Sequence, residues 1–220
     1  MRKRTQGGNA IIEMALVVPC LSLLFFGTVG LGLMMGRYSQ AVQVARDIAH
    51  MYSDGVDFSQ AGSQNIIVQQ LAAGTGMTAT GGNGVVILSQ IRTVYAADCT
   101  AAAVSPCTNQ GLPVFVQRIV IGNSSLHASA FGTPSASIVN SQGNIASSVY
   151  LGNTDSSVRT SGFEGALDTA VLRATGTAAT PPAQAQGDTA YAVEVFFQYP
   201  DIGYLGWTTA NGAYVQMIFH

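Results

Sequence analysis

Apolar and small residues run almost unbroken from Ala10 to Met35, with Glu13 the single charge among them, and Met14 to Gly36 carries none. At about 1.5 Å per residue a helix over that uncharged run is about 34 Å long, enough to cross about 30 Å of hydrocarbon. Beyond Arg37 the pattern becomes amphipathic. Tyr38, Ala41, Ala45, Ile48 and Tyr52 recur at three- and four-residue spacing, while Gln40, Gln43, Asp47 and His50 fall mainly elsewhere around the helix. The spacing predicts one long helix whose outer half packs a stripe on a partner and which stops at Ser53-Asp54-Gly55.

Past that stop the period changes. Gln64 to Ala73 reads as a short helix with Ile66, Ile67 and Leu71 on one side, followed by a glycine-rich loop from Gly74 to Gly84. Val85 to Tyr95, Val114 to Ile121, Tyr191 to Tyr199 and Tyr214 to Phe219 are rich in β-branched and aromatic residues and predict strands. In the third, Tyr191, Val193, Val195, Phe197 and Tyr199 share one face. Ala192, Glu194 and Gln198 share the other, which reads as partly wet. The expectation is an α+β fold in which the long N-terminal hydrophobic helix covers one face of a C-terminal antiparallel sheet.

The stretch from about 123 to 188 is dominated by Ser, Thr, Ala, Gly and Asn and is too long for a simple loop. Ser161-Gly162-Phe163-Glu164 has capping-box spacing, which predicts a short helix to about Ala174. Weak strands are expected between 130 and 150, a linker from Thr175 to Gly187, and an exposed surface for the insertion as a whole.

Composition narrows the setting. Only 9% of the 220 residues are charged and the net charge is −2, against about 25% charged in ordinary globular domains. Nine basic and eleven acidic residues give no general attraction to phosphate backbones, so no nucleic-acid partner is expected. Arg2, Lys3 and Arg4 precede the apolar run and Arg37 alone closely follows it, a bias that predicts a single-pass membrane protein with its N-terminus in the cytoplasm and its C-terminal domain outside. Ser39-Gln40-Ala41 offers a signal-peptidase alternative, but the run exceeds the roughly 7 to 15 residues of a signal h-region. A lipoprotein reading of Cys20 is opposed by Pro19 before it.

Glu13 is the residue that asks for a role, because a carboxylate in a bilayer-spanning helix costs about 2.5 to 3.5 kcal/mol at the centre and less near an end. It follows Gly8-Asn9-Ala10-Ile11-Ile12 and precedes Met14-Ala15-Leu16-Val17-Val18-Pro19. This stretch resembles the start of the TadE-like pilins, minor subunits of the tight-adherence (Flp-type) pilus, and more distantly of type IV pilin precursors. Where that family often has an aromatic residue after the glutamate, this chain has Met14. The resemblance implies cutting between Gly8 and Asn9 by a prepilin peptidase, with 1–8 as leader, 9–53 as assembly helix and 54–220 as the extracytoplasmic domain. It also implies that Glu13 pairs with the new amino terminus of a neighbouring subunit, since two buried opposite charges are tolerable together where each alone is costly. The partners implied are the peptidase, other pilin subunits and the assembly platform, with the inner membrane as host before assembly and an extracellular filament after it. Gly32 and Gly36 form a Gly-x-x-x-Gly that permits close helix contact.

Cys99 and Cys107 bracket a short segment, and an extracytoplasmic location lets them oxidise to a disulfide. His50, His127 and His220 are scattered, and the spacing of the cysteines does not suit zinc. No nucleophile elbow, zincin pair or phosphate loop is present. The expectation is therefore a structural subunit and not an enzyme, with no cofactor and no metal. The alternative is a surface adhesin on an uncleaved anchor, in which Trp207, with Tyr199 and Tyr204, lines a binding site.

Overall fold

The computed structural model describes residues 7–152, 155–163, 189–199 and 212–219. Helix α1, Gly7–Ser53, is a single helix of 47 residues, about 70 Å long at about 1.5 Å per residue. Pro19 lies within it and has no N–H to offer the preceding turn. One turn on, Ser22 Oγ donates to the Pro19 carbonyl at 2.8 Å. The helix stops at the expected place because Gly55 takes φ +86°, a region costly for any residue with a Cβ, while the N–H of Asp54 donates to the His50 carbonyl at 2.9 Å.

From Ile11 to Leu33 of α1 every residue but Ser22 and Gly30 is exposed. On its outer half Ala41, Val44, Ala45, Ile48, Ala49 and Tyr52 are buried, none more than 4% exposed. Tyr38, which the periodicity assigned to this stripe, is 55% exposed. The register was right, but the helix runs past the end of the sheet one turn earlier than the pattern suggested.

The sheet consists of β3 (Gly84–Thr93), β4 (Pro113–Gly122), β5 (Thr189–Gln198) and β6 (Gly212–Phe219), all antiparallel, in the order β4-β3-β5-β6. Ser89 of β3 stands between Arg118 of β4 and Ala192 of β5, and Ile87 stands between Val120 and Glu194. A register shift at Gln90/Ile91 sets Gln90 opposite Gln117 and Ile91 opposite Phe115. The extra residue, Val116, sends Phe115 and Gln117 to opposite faces, as a bulge does.

Smaller elements complete the chain. The short helix expected near Gln64–Ala73 is α2 (Ala61–Ile66), continued by a π-helical turn, Ile67–Leu71. The glycine-rich stretch after it contains a tight ladder of β1 (Met77–Thr78) and β2 (Gly81–Gly82). Helices α3 (Ala96–Ala101) and α4 (Ser147–Gly152) were not expected. Between 130 and 150 the expected weak strands appear as isolated bridges, Val139 with Ile145 and Gln117 with Asn144. Ser161–Phe163 is not helical. The helix expected to follow it and the 175–187 linker lie outside the described residues.

Two apolar cores flank the sheet. On one face the α1 stripe meets Val86, Leu88, Ile121, Val193, Val195 and Phe197, joined by Phe58 and Ile67. On the other, Ile91, Phe115, Ala190 and Ala192 are covered by Phe131, Ile145, Leu151, Val158 and Phe163. The second core corrects two expectations. The part of the insertion from 123 to 163 packs as a third layer instead of forming only an exposed surface, and Glu194, placed on a partly wet face, is 1% exposed.

Candidate assembly helix and its junction with the sheet

Gly8 and Asn9 lie in the first turn of α1. Glu13 follows on the exposed half, among Ile11, Ile12 and Met14, each about 70% exposed (73%, 68% and 69%). Among the described residues the ion pair formed is Arg92 with Asp98, and Glu13 has none. A carboxylate on an apolar helix surface without a partner among the described residues is most cheaply kept by one from outside. Gly32 and Gly36 face open space, since a Cβ at either would meet nothing within 4 Å.

The outer half of α1 is fixed to the sheet by packing and by one polar tie. Ala41, Ala45 and Ala49 let the backbone approach β5 and β6 closely, and the Tyr52 hydroxyl donates to Gln117 Oε1 at 2.9 Å. Gln117 in turn donates to Asn144 Oδ1 at 2.9 Å. Helix, sheet and covering layer are thus linked through one side chain, which the bulge in β4 turns towards the helix.

Where α1 leaves the sheet, the Arg37 guanidinium lies over the Tyr199 ring at 4.7 Å from its centroid. Burial raises the Tyr199 phenol above its ordinary pKa, and Arg37 pulls the other way. A groove of about 620 Å³ opens here, lined by Met34, Met35, Tyr38 and Val42 on the helix side and by Tyr199, Gly212 and Ala213 on the sheet side.

The opposite face of the sheet carries buried charge that the sequence pattern missed. Glu194 accepts from Ser129 Oγ, from the Ala130 N–H at 2.7 Å and from the Tyr214 hydroxyl at 2.7 Å. Arg118 donates to Ser89 Oγ and to the Gly132 carbonyl at 2.5 Å. Burial lowers the Arg118 guanidinium to about 10, with Glu194 opposing that shift, so it stays charged near neutrality. The strand pattern put Glu194 on the right face; only the covering layer, with no strong periodicity of its own, made that face dry.

The remaining candidates separate. Cys99, at the start of the last turn of α3, and Cys107 are joined in a disulfide with Cα atoms 5.8 Å apart. His50 meets Phe219 edge-on at 5.3 Å, and His127 stacks on Tyr214 at 4.3 Å and on Phe196 at 5.1 Å. His220, Tyr204 and Trp207 lie outside the described residues. Among the described residues no three His, Cys, Asp or Glu side chains gather as a metal site.

The architecture defines a class: a protein with one N-terminal helix long and apolar enough to cross a membrane, whose outer half doubles as the central packing element of an α+β domain. Residues 8–50 match the family described as TadE-like protein. The similarity is confined to this N-terminal segment. The match ends within α1, short of the sheet. No curated protein and no solved structure matches the chain.

Proposed function

We propose that the chain is a minor pilin-like subunit of a tight-adherence type pilus. It is cut between Gly8 and Asn9 by a prepilin peptidase at the cytoplasmic face of the inner membrane. The segment 9–53 then serves as the assembly helix and 54–220 as the extracytoplasmic domain. Glu13 receives the new amino terminus of a neighbouring subunit, and Gly32 and Gly36 let a second helix approach. The observation that carries this reading is the placement of Glu13: inside the TadE-like segment, on the exposed half of α1, without a charge partner among the described residues.

Its mechanism is assembly through helix packing. The domain is built on the outer half of α1, so a subunit drawn from the membrane by its neighbours brings its folded domain along. Glu13→Ala tests the pairing. A plain anchor gains from losing a carboxylate in the membrane, so the variant is expected to insert normally yet fail to appear in filaments sheared from cells. Normal incorporation of that variant contradicts the pairing role.

A further inference from the structure

We propose that the outer edge of β6 is a pairing surface for a second copy of this chain, joined so that the two β6 strands run parallel and the two sheets become one. The inference goes beyond the assembly role and rests on α1 crossing the bilayer.

The two edges of the sheet differ. At the β4 edge the covering layer supplies partners. There the Arg118 N–H donates to the Gly143 carbonyl at 2.7 Å, the Ile145 N–H to the Val116 carbonyl at 2.9 Å and the Thr160 N–H to the Pro113 carbonyl at 3.1 Å. The bulge at Val116 bends the same edge. Strand β6 has none of these guards. Its eight residues, Gly212–Phe219, include no charge and no proline, and they pair with β5 from Gln198 opposite Gly212 to Tyr191 opposite Phe219 without a register shift. Among the described residues its outer edge makes no backbone hydrogen bond. Charges, prolines, bulges and covering segments are the usual protection of a sheet edge, and a long regular edge without them is a template for another strand.

Charge and geometry select the occupant. The edge is neutral, so meeting its own copy sets no like charges together. The β4 edge of that copy is already taken, which leaves β6 to meet β6. Two identical edges can meet about a two-fold axis in two ways. An axis normal to the sheet makes the strands antiparallel, and an axis along the strands makes them parallel with the faces exchanged. Helix α1 decides between the two. Val42 shares a groove with Gly212 and Ala213 at the start of β6, and His50 meets Phe219 at its end, so α1 runs alongside β6 in the same direction. Antiparallel pairing therefore points the two apolar helix halves in opposite directions. Parallel pairing sends both into one membrane, with the two helices on opposite faces of the joint sheet. Tyr214 and Gln216 of one copy then share a face with Val215 and Met217 of the other, because successive side chains alternate. An edge of eight residues buries less than the roughly 1,200 Å² of a stable soluble complex; confinement of both chains in one bilayer raises their effective concentration and makes up the difference.

The test uses the full chain carrying Cys20→Ser, which removes the free thiol, in membranes of expressing cells where every chain inserts the same way. A short bis-maleimide joins introduced cysteines, and Cys99 and Cys107 are protected by their bridge. Gln216→Cys, exposed on β6, is expected to cross-link between copies about ten-fold more than Gln43→Cys, because the α1 helices stand on opposite faces of the joint sheet. Native mass spectrometry of protein ejected from the same membranes should show a dimer. Gln216→Lys, which charges the edge, should weaken that dimer about five-fold, while Gln110→Lys, exposed on the loop before β4, should leave it unchanged. Cross-linking at Gln43 that equals or exceeds that at Gln216, or a dimer unaffected by Gln216→Lys, assigns association to the helices and overturns the edge pairing. Monomers without cross-linking at Gln216 overturn it as well and leave the assembly role standing. Recovery of the chain in the soluble fraction contradicts the span, and the parallel pairing with it.

Discussion

Arg118 on β4 and Glu194 on β5 stand on the same buried face of the sheet and hold opposite ends of one short segment, Glu194 accepting from Ser129 and Ala130 while Arg118 donates to the Gly132 carbonyl. The pair does not touch directly; the covering layer closes the circuit between them. The Arg118 N–H also donates to the Gly143 carbonyl at 2.7 Å. At Gly143 a Cβ would lie 2.6 Å from the Arg118 carbonyl oxygen, so only glycine fits that crossing. Two charges and one glycine thus fix a stretch of chain that has little apolar periodicity to fix itself.

Removing one of these charges strands the other. Glu194→Ala leaves three donors without their acceptor and a buried guanidinium with its main counter-charge gone. The expected loss is about 3 kcal/mol, within the usual range for breaking a buried charge arrangement. Glu194→Gln, which keeps acceptor capacity, should lose less. Urea denaturation of the full chain in detergent measures both; a Glu194→Ala midpoint unchanged from wild type contradicts the assigned role.

Alkaline pH tests the same cluster. Burial, and then the hydrogen bond and charge of Glu194, raise the Tyr214 phenol above its ordinary value of 10.0. The unfolded chain therefore ionises this group first. Its contribution is complete below about pH 10 and is lost as pH rises through the higher folded value. Thermal melts of Tyr214→Phe should show lower stability at pH 8, from the lost hydrogen bond, and a shallower decline above pH 10 than wild type. Parallel declines contradict the buried environment of Tyr214.

The Cys99–Cys107 bridge closes a short loop, and the chain-entropy account gives it about 2.5 kcal/mol. A double replacement by serine should lower the melting temperature by several degrees, and reduction of the wild-type chain should do the same. Alkylation before and after reduction checks the bond itself, since two additional labels are expected only after reduction of these two positions.

Small side chains on the outer half of α1 set the distance between helix and sheet. Ala45 is fully buried there. Ala45→Leu forces extra volume into a filled seam and should cost about 1 to 3 kcal/mol, whereas Gln43→Leu, on the exposed side, should change stability little. Equal effects of the two in thermal melts contradict the packing described.

Much of this was legible in the sequence because the relevant forces act at short range. The four strands lie within a few residues of the β-branched and aromatic runs, and Ala41, Ala45, Ile48 and Tyr52 mark the packed side of α1 by period alone. Gly55 ends the helix for a reason local to its own backbone. What was not legible depends on distant segments. Tyr38 continues the helical period but lies where the sheet has ended. Glu194 looks half-wet along its strand and is dry because Phe131 and its neighbours cover that face. The Arg37–Tyr199 contact joins residues far apart in sequence, and neither position announces the other. For Glu13, by contrast, the cost of a charge in an apolar run was visible at once, and the TadE-like match encloses it.

The most direct measurement of the central claim is the intact mass and N-terminal sequence of the protein isolated from its native cells. The assembly-subunit account requires a chain that begins at Asn9 and retains α1. A chain beginning at Met1 contradicts prepilin processing and leaves an uncleaved anchor, and one beginning at Val42 contradicts the retained helix as well.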